Sequence, residues 1–314
     1  MTIEQLQYAF SVYQRLSFVK AAEESFVSQP ALTMQVKKLE EEIGFPLFDR
    51  ARKPLKVTPA GKKFMEKAQE TLLSFKGLEQ LATELNAGEQ DHIKVGIIPT
   101  LAPFLLPLFV RQFHKQYPKL ELHINELTTE EVLQLIQEGE LDAGIIVTPV
   151  VAKGLSASPL FYEQFYLYVA DDHPYYKQKA IRLSDIKAKD LWLLKEGNCF
   201  RSQVNDLCQL GKKNDHQHFT YQSSSISSLM RIVEHQGGVT FVPELATLGL
   251  SAEQENMLKP IKGDKVVREI SLIRSRFFHK QRALDKLQQL ILENIPSHMK
   301  QAKQQEIVDS FVSI

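Results

Sequence analysis

Cysteine is scarce in this chain of 314 residues, which has two, Cys199 and Cys208, in the segment EGNCFRSQVNDLC. Two cysteines are too few for the disulfide framework of a small secreted domain. The N-terminus MTIEQLQYAF lacks the basic start and apolar run of a signal peptide. No apolar stretch approaches the roughly 18 residues that a membrane helix needs. We therefore expect a cytoplasmic protein without a membrane partner, in which a lasting structural disulfide would be unusual.

A net charge is also missing, because Lys+Arg and Asp+Glu both total 38. The overall balance therefore indicates no class of partner. Residues 1–63 are locally basic, with ten basic against seven acidic side chains, a net of +3. This small excess is compatible with nucleic acid but is weak support for it. The length suits two domains, and a hydrophobic content of 43% is ample for their cores.

The first 45 residues show helical periodicity interrupted by short breaks. Apolar residues from Ile3 to Tyr13 predict one helix, and a short second helix follows Ser17, a suitable N-cap. A third helix is predicted after Ser28, also a suitable N-cap, with Pro30 in its first turn. Two short helices, a tight turn and a further helix are typical of a helix-turn-helix.

The polar face of the third helix carries donors at i, i+4 and i+8, namely Gln29, Thr33 and Lys37. Such side chains can contact base edges or phosphates when the helix enters the major groove. The following segment FDRARKPLKVTPAG predicts a small β-wing, from which four cations would contact the DNA backbone: Arg50, Arg52, Lys53 and Lys56. A helical hairpin of an unrelated bundle, with a solvated polar face, fits the same spacing equally well.

A long helix is predicted from Thr58-Pro59, an N-cap followed by proline at the first helical position. Apolar residues recur along it at steps of 3 and 4 until Asn86 and Gly88: Met65, Ala68, Leu72, Phe75, Leu78, Ala82 and Leu85. The stripe predicts a two-stranded coiled coil. The alternative is one amphipathic helix that packs on its own domain.

These N-terminal segments closely resemble the DNA-binding domain of the LysR-type transcriptional regulators, through AAEESFVSQPALTMQVKKLEEEIGFPLFDR and VTPAGKKF. The resemblance implies a winged helix-turn-helix over 1–58, a linker and dimerisation helix over 59–88, an effector domain over 91–300, and a tail over 301–314. It implies a regulator, not an enzyme, that binds double-stranded promoter DNA as a homodimer or homotetramer and contacts RNA polymerase. The implied DNA contacts are Ser28, Gln29, Pro30, Thr33, Lys37, Arg50, Arg52 and Lys53.

The effector region begins with alternating strand and helix patterns, in the order HIKVGII, LAPFLLPLFVRQFHKQYP, KLELHINEL, TTEEVLQLIQEG and LDAGIIV. This βαβαβ pattern predicts a right-handed parallel sheet. A second unit is predicted from about 161, with strands FYLYVA, DLWLL, FTYQ and GVTFVP and the helix SISSLMRIVEHQ. The resemblance implies that REISLIR and the last helix rejoin the first unit. The fold class is then two Rossmann-like subdomains, 91–161 with 266–300 and 162–265, with shared crossover strands as in periplasmic binding proteins.

Binding sites in open α/β sheets lie beyond the carboxyl ends of the strands. Thr100 and Thr129 follow the first two predicted strands, and Cys199 follows DLWLL. We therefore expect these three residues to face one cleft. Helix capping is the alternative role for both threonines.

Four interpretations of the two cysteines compete. A zinc site would need more ligands, for which His216 and His218 are near in sequence, but C-x8-C is not a usual half-site. A permanent disulfide conflicts with the expected compartment, and two buried thiols could simply pack as small apolar residues. The local chemistry favours a redox pair. Cys199 follows Gly197-Asn198 at a predicted helix start, where the helix dipole and Arg201 would stabilise a thiolate.

Helical geometry adds a constraint. If residues 199–208 are helical, a rise of 1.5 Å per residue separates the two Cα atoms by roughly 13 Å. A disulfide tolerates at most about 7 Å. Part of FRSQVNDL would therefore have to unwind before the bond could form, and Gly211 and its neighbours would supply slack.

The segment GNCFRSQ with its second cysteine resembles the peroxide-sensing OxyR branch of the LysR family. The resemblance implies that hydrogen peroxide is the signal, that Cys199 is the peroxidatic residue and that Cys208 resolves it. It also implies peroxide contacts from Thr100 and Thr129, support from Arg201 and Gln203, no cofactor, and resetting by thioredoxin- or glutaredoxin-type reductants. An arginine on a returning strand would support the thiolate. Arg268 is the better candidate and Arg274 the alternative, although a surface ion pair could also explain Arg268.

The sequence departs from the common pattern beside Cys199. Asn198, which we also expect in the peroxide pocket with Arg268, replaces a frequent histidine. Ser202 replaces a frequent aspartate, so the hydrogen bonds of the sulfur cannot be transferred from the resemblance. Two other functions stay open. A regulator could bind a small organic acid through Thr100 and Ser223–Ser225, or the chain could be a thiol peroxidase, against which the helix-turn-helix argues.

Overall fold

The computed structural model describes residues 1–52, 54–87, 92–152, 154–208, 223–263, 266–276, 280–301 and 306–308. Two compact units are present. The first is built from residues up to 87, and the second from most of the described residues after 91. Lys53 and the predicted FTYQ strand, as well as Gly211, His216 and His218, lie outside the described residues. No helix in the described ranges is both long enough and apolar enough to cross a bilayer.

The first unit is a three-helix cluster with a two-stranded wing and a long helix. Its elements are α1 (Ile3–Arg15), α2 (Phe18–Glu24), α3 (Gln29–Ile43), β1 (Phe48–Asp49), β2 (Lys56–Val57) and α4 (Pro59–Ala87). The expected caps are confirmed, because Ser17 accepts from Lys20 N–H and Ser28 accepts from Ala31 N–H. The predicted wing is confirmed as the antiparallel pair of β1 and β2.

The core of this unit explains why the helices meet. Its fully buried side chains include Leu32, Val36 and Leu39, which form the apolar face predicted for α3. The small pair Ala21 and Ala22 is buried on α2 and lets the neighbouring helices approach closely. The polar face of α3 is thereby left toward solvent.

The second unit has a mixed sheet flanked by helices. Its first elements in chain order are β3 (His92–Ile97), α5 (Ala102–Gln116), β4 (Glu121–Glu126), α6 (Thr129–Gln137), β5 (Ala143–Thr148), β6 (Leu155–Val169), β7 (Ile181–Arg182) and β8 (Leu191–Trp192). The remainder are α7 (Cys199–Leu207), α8 (Ile226–Gln236), β9 (Val239–Pro243), α9 (Ala252–Met257), β10 (Leu258–Lys262), β11 (Val266–Ser275), α10 (Gln281–Asn294) and β12 (Glu306–Ile307).

The predicted βαβαβ arrangement is confirmed, because β3 pairs in parallel with both β4 and β5. Strand β6 then connects two halves of the sheet. Its first part pairs with β11 up to Gln164, and its last part pairs with β9 from Phe165. Strand β11 returns to pair with β5. The two α/β subdomains with shared strands confirm the predicted fold class. The exact domain boundaries stay a prediction.

Some elements differ from the expectation. The DLWLL strand is reduced to Leu191–Trp192, and β6 begins at Leu155, well before FYLYVA. The short strands β7, β10 and β12 were not predicted. Each is two to five residues long and is held by pairing with strands that are distant in sequence. Such pairing leaves no local periodicity that a sequence could show.

Candidate functional site

Cys199 is the first residue of α7, at the start position that the sequence predicts. Gly197 has φ of 81°, which turns the chain, and Asn198 is the N-cap. The Asn198 Oδ1 atom accepts a hydrogen bond from Phe200 N–H at 2.9 Å. Both cysteines are free thiols and half-buried. The residue that stands where histidine is frequent therefore caps the cysteine helix.

A small pocket adjoins Cys199 and is lined by residues from both subdomains. Thr100 contributes from beyond β3, Thr129 from the start of α6, and Asn198 and Cys199 from the start of α7. Neither threonine is a helix N-cap, because Leu101 precedes α5 and Thr128 forms the capping box with Glu131. Both are buried, at 1% and 4% exposure. The volume available to the centre of a water-sized sphere is about 20 Å³. On the same scale one ordered water needs roughly 10–15 Å³.

Arg268 lies on β11 and is completely buried. Its Nε donates to Glu163 Oε1 at 2.7 Å, and its Nη1 donates to Thr100 Oγ1 at 3.2 Å. Its Nη2 lies 2.6 Å from Glu163 Oε1 but has no hydrogen-bond partner of good geometry among the described residues. The guanidinium carbon is 5.0 Å from the centroid of the Phe200 ring. Arg268 is thus no surface ion pair, whereas the alternative Arg274 donates to Gln281 on the exposed surface.

Sequence reasoning missed Glu163, which is fully buried opposite Arg268. Burial raises the pKa of Glu163, while Arg268 and the N–H of Leu245 lower it. Glu244 raises that pKa further, and Glu244 itself accepts from Gln164 N–H and from His298. An acid at an inward position of a mostly apolar strand was the available signal. Its partner is 105 positions away along the chain.

The electrostatic environment of Cys199 differs from the expectation. Burial raises the pKa of the Cys199 thiol; the Arg268 charge, the Thr129 hydroxyl and the Phe200 N–H lower it, and Glu130 raises it, with a net shift upward. Arg201, which we expected to add positive charge beside Cys199, has other partners in the structure. Its guanidinium donates to the Leu194 carbonyl at 2.8 Å and faces Glu196 at 3.6 Å. The cation that favours the thiolate is therefore Arg268.

Cys208 is the C-cap of α7, so residues 199–207 are helical and the two Cα atoms lie roughly 13 Å apart by helical rise. Cys208 packs against the core of the second subdomain. This burial raises the pKa of its thiol to about 12. In this geometry no disulfide can form without opening the helix.

Gln203, halfway along α7, is completely buried. Its Nε2 donates to the Val308 carbonyl at 3.4 Å, and its Oε1 has no hydrogen-bond partner among the described residues. Val308 N–H in turn donates to the Val267 carbonyl at 2.9 Å, directly after the parallel pairing of β12 with β11. Part of the tail over 301–314 therefore contacts the cysteine helix.

The polar face of α3 is available to a ligand in the first unit. Gln29 and Lys37 are exposed, and Gln29 Nε2 donates to Thr33 Oγ1 at 2.9 Å. Ser28 and Pro30 are also exposed at the start of the helix. Lys37 lies 3.5 Å from Glu41, a weak surface pair that leaves the ammonium free to reach phosphate.

The wing cations have different surroundings. Arg50 pairs with Glu40 at 2.7 Å and stacks on Phe18 at 5.0 Å, so it ties the wing to α3. Arg52 is more exposed and pairs with Asp49 at 3.2 Å. Lys56 is exposed.

The stripe on α4 divides into two parts. Met65 and Ala68 are buried in the core of the first unit, as the single-domain alternative requires. Leu78 of the stripe is 61% exposed, and Leu81, which is not part of the predicted stripe, is 41% exposed. The C-terminal part of the helix therefore presents apolar side chains that a second subunit could cover.

The alternative ligands have less support. Ser223 accepts from Ser225 N–H, and Ser225 caps α8, so these two hydroxyls are engaged locally, whereas Ser224 lines the pocket beside Cys199. Within the described ranges no group of three or more His, Cys, Asp or Glu side chains could hold a metal ion.

Comparison with known proteins gives two family matches. Residues 86–296 match the LysR substrate binding domain, and residues 3–62 match the bacterial regulatory helix-turn-helix protein, lysR family.

A hydrogen peroxide-inducible genes activator of Dickeya chrysanthemi is 31% identical over 246 residues, which cover 78% of this chain and 80% of that protein. The HTH-type transcriptional regulator EstR of Acinetobacter baylyi is 32% identical over 276 residues, which cover 88% of each chain. Full-length OxyR C199D of Pseudomonas aeruginosa has a similar structure, with a TM-score of 0.66, 31% identity and coverage of 94% of this chain and 99% of that one.

Proposed function

Because the chain belongs to the LysR family of DNA-binding transcriptional regulators, we propose that it is a hydrogen peroxide sensor switched by a reversible Cys199–Cys208 disulfide. The signal reaches the pocket beside α7, and the response is made by the DNA-binding unit. The relatives that are named as peroxide-inducible activators support this assignment of the signal.

The observation that carries the proposal is a thiol under the influence of a completely buried cation, Arg268. The Nη2 atom of Arg268 is in an ion pair with Glu163 at 2.6 Å but makes no hydrogen bond of good geometry among the described residues, and nearly all buried polar groups in proteins are hydrogen-bonded, so this group could donate to a further acceptor. A thiolate at Cys199 or a peroxide oxygen would be that acceptor. The cavity is of a size that suits a molecule of two oxygen atoms.

The chemistry takes two steps. The Cys199 thiolate attacks one oxygen of hydrogen peroxide, the O–O bond breaks, and Cys199 sulfenic acid and hydroxide form. The Cys208 sulfur then attacks the sulfenic sulfur, the S–O bond breaks, and a disulfide and water result. The peroxide is reduced, and the two thiols are oxidised. Thr100 and Thr129 would position the peroxide, and Arg268 would stabilise the thiolate.

The second step requires a rearrangement, which supplies the output. The roughly 13 Å between the cysteines must fall to less than about 7 Å, so α7 has to unwind. Unwinding removes Gln203 from Val308 and Phe200 from Arg268. The altered effector surface would change the packing of subunits in a homodimer or homotetramer, and thereby the spacing of paired DNA-binding units and their contact with RNA polymerase. Thiol reductants of the thioredoxin or glutaredoxin type would reset the pair in the cytoplasm.

Thiol counting tests the proposal. Reduced protein treated with one equivalent of hydrogen peroxide is expected to lose two free thiols. Cys199→Ser should lose none, and Cys208→Ser should lose one, which is trapped as sulfenic acid. A promoter footprint recorded with reduced and oxidised wild-type protein should differ. Two unchanged thiols, together with a melting shift on adding small organic acids, would contradict the peroxide assignment and favour the organic-acid regulator.

A further inference from the structure

Phe26 is placed unfavourably for the stability of its own unit. Its side chain is 96% exposed, the highest value for a large apolar residue in the described part of the chain. Its backbone has φ of 53°, a left-handed conformation that costs a residue with a Cβ and that glycine or asparagine adopts readily. A phenyl ring gains nothing from burial here. The exposed ring and the left-handed backbone both mean that a residue other than phenylalanine would suit the folding of the free protein better.

The position of Phe26 on the backbone is well fixed. Phe26 N–H donates to the Glu23 carbonyl at 3.2 Å, and the next N–H, of Val27, donates to the Ala22 carbonyl at 3.1 Å. Val27 packs into the core of the first unit. The backbone that carries the ring is therefore held between α2 and α3, while the ring itself projects into solvent.

The neighbours of Phe26 indicate what covers it. Ser28, two residues later, caps α3, and the exposed Gln29 follows. In a helix-turn-helix, here α2 and α3, the N-terminal residues of the second helix of the motif enter the major groove. That helix is α3 in this protein. A side chain two positions before that N-cap reaches the margin of the groove. The apolar surfaces there are the thymine 5-methyl group and the deoxyribose ring.

We propose that Phe26 is a DNA-contact residue whose ring packs against the apolar edge of the duplex at the margin of the groove that α3 enters. This inference rests on the DNA binding of the family and is independent of the redox chemistry. The ring contributes affinity by burying apolar surface, whereas Gln29 and Thr33 supply polar contacts. Phe26 therefore serves the complex at the expense of the free protein.

The chain offers a matched control in Leu16. Among the described residues, Leu16 and Phe26 are the two non-glycine residues with positive φ, 48° and 53°. Leu16 is the C-cap of α1 and is 46% exposed. Glycine removes the steric cost of the left-handed backbone at both positions. The proposal places only Phe26 against DNA.

The test uses the full-length protein and a duplex selected by it from a random library. Fluorescence anisotropy gives Kd for wild type, Phe26→Gly, Phe26→Leu and Leu16→Gly, and thermal melting is recorded for each. We expect Phe26→Gly to melt no lower than wild type and to bind about tenfold more weakly, as the loss of a few buried carbons per subunit predicts. Phe26→Leu should recover part of the affinity, and Leu16→Gly should bind like wild type.

A second arm identifies the contacted group. Each thymine of the duplex is replaced in turn by deoxyuridine. If deoxyuridine at one position weakens DNA binding by wild type but not by Phe26→Gly, the ring contacts the methyl group of that thymine. If no position has this effect, the ring contacts a deoxyribose. Equal Kd values for wild type and Phe26→Gly would overturn the proposal, as would an equal loss in Leu16→Gly. Wild type that binds no duplex would instead overturn the regulatory function itself.

Discussion

The guanidinium of Arg268 lies over the ring of Phe200, 5.0 Å from its centroid, and Phe200 directly follows Cys199. This contact joins the returning strand β11 to the first turn of α7. It places the buried charge beside the sulfur while Glu163 holds the guanidinium from the other side. One arginine therefore contacts the first turn of α7 and also lowers the pKa of the Cys199 thiol.

Removing that charge should shift the reaction of Cys199 to higher pH. The pKa of the thiol already lies above its ordinary value through burial, and Arg268 is the main influence that lowers it. In Arg268→Met the pKa rises further, so the thiolate fraction at neutral pH falls. We expect the sulfenylation rate at pH 7 to fall roughly tenfold or more, with the profile moved to alkaline pH. Stopped-flow kinetics in a Cys208→Ser background measures this.

Two control variants test whether the charge of Arg268 is the cause of the expected shift. Arg268→Lys retains a cation and should keep a profile closer to that of wild type. Glu163→Gln combined with Arg268→Met removes both buried charges, so a folding defect from an unpaired carboxylate is avoided. If the double variant showed the profile of wild type, Arg268 would not be the source of thiolate stabilisation.

Cys208 should be nearly inert to alkylation while α7 is intact. Burial raises the pKa of its thiol to about 12, so at pH 8 the thiolate is about one part in ten thousand. Labelling of Cys199→Ser by iodoacetamide should therefore be at least about a hundredfold slower than that of the same protein in urea. Rapid labelling in the folded, reduced protein would show that α7 opens spontaneously.

The same pKa has a consequence for stability. The folded value of Cys208 lies above the ordinary 9.0, so the folded state holds the proton more tightly than the unfolded state. The resulting stabilisation is complete below about pH 9 and is lost as pH rises toward about 12. Cys208→Ala should show a shallower fall in the free energy of unfolding across that window, as measured by urea titration at each pH.

Local signals explain how much the sequence could predict. Caps at Ser17 and Ser28 are set by neighbouring residues, and the structure has both. The alternation of strands and helices likewise predicted β3 to β5. Contacts between distant parts of the chain were not accessible in this way. The pairing of Glu163 with Arg268 depends on strand register that periodicity does not report.

The stability of α7 should set the redox midpoint of the proposed disulfide. Asp206 is exposed near the end of the helix, so its side chain can be changed with little effect on packing. Alanine and glycine there differ by about 1 kcal/mol in helix propensity. Because the proposed oxidation would unwind the helix, Asp206→Gly should have a midpoint about 20 mV more negative than Asp206→Ala. Glutathione titrations with thiol counting measure the difference, and equal midpoints would indicate that α7 stays folded on oxidation.

The C-terminal strand should favour the reduced state. Val308 accepts from Gln203 and follows β12, so the tail contacts α7 only while Gln203 is in place. Deleting residues 306–314 removes this contact, and linkage then requires oxidation to become easier. One neutral hydrogen bond corresponds to roughly 10–30 mV, so the midpoint should become more negative by about that amount. Deleting residues 309–314 keeps β12 and is the matched control, expected to keep the midpoint of wild type. A midpoint that moved equally in both deletions would assign the effect to residues beyond the strand, and a positive shift would show that the tail favours the disulfide.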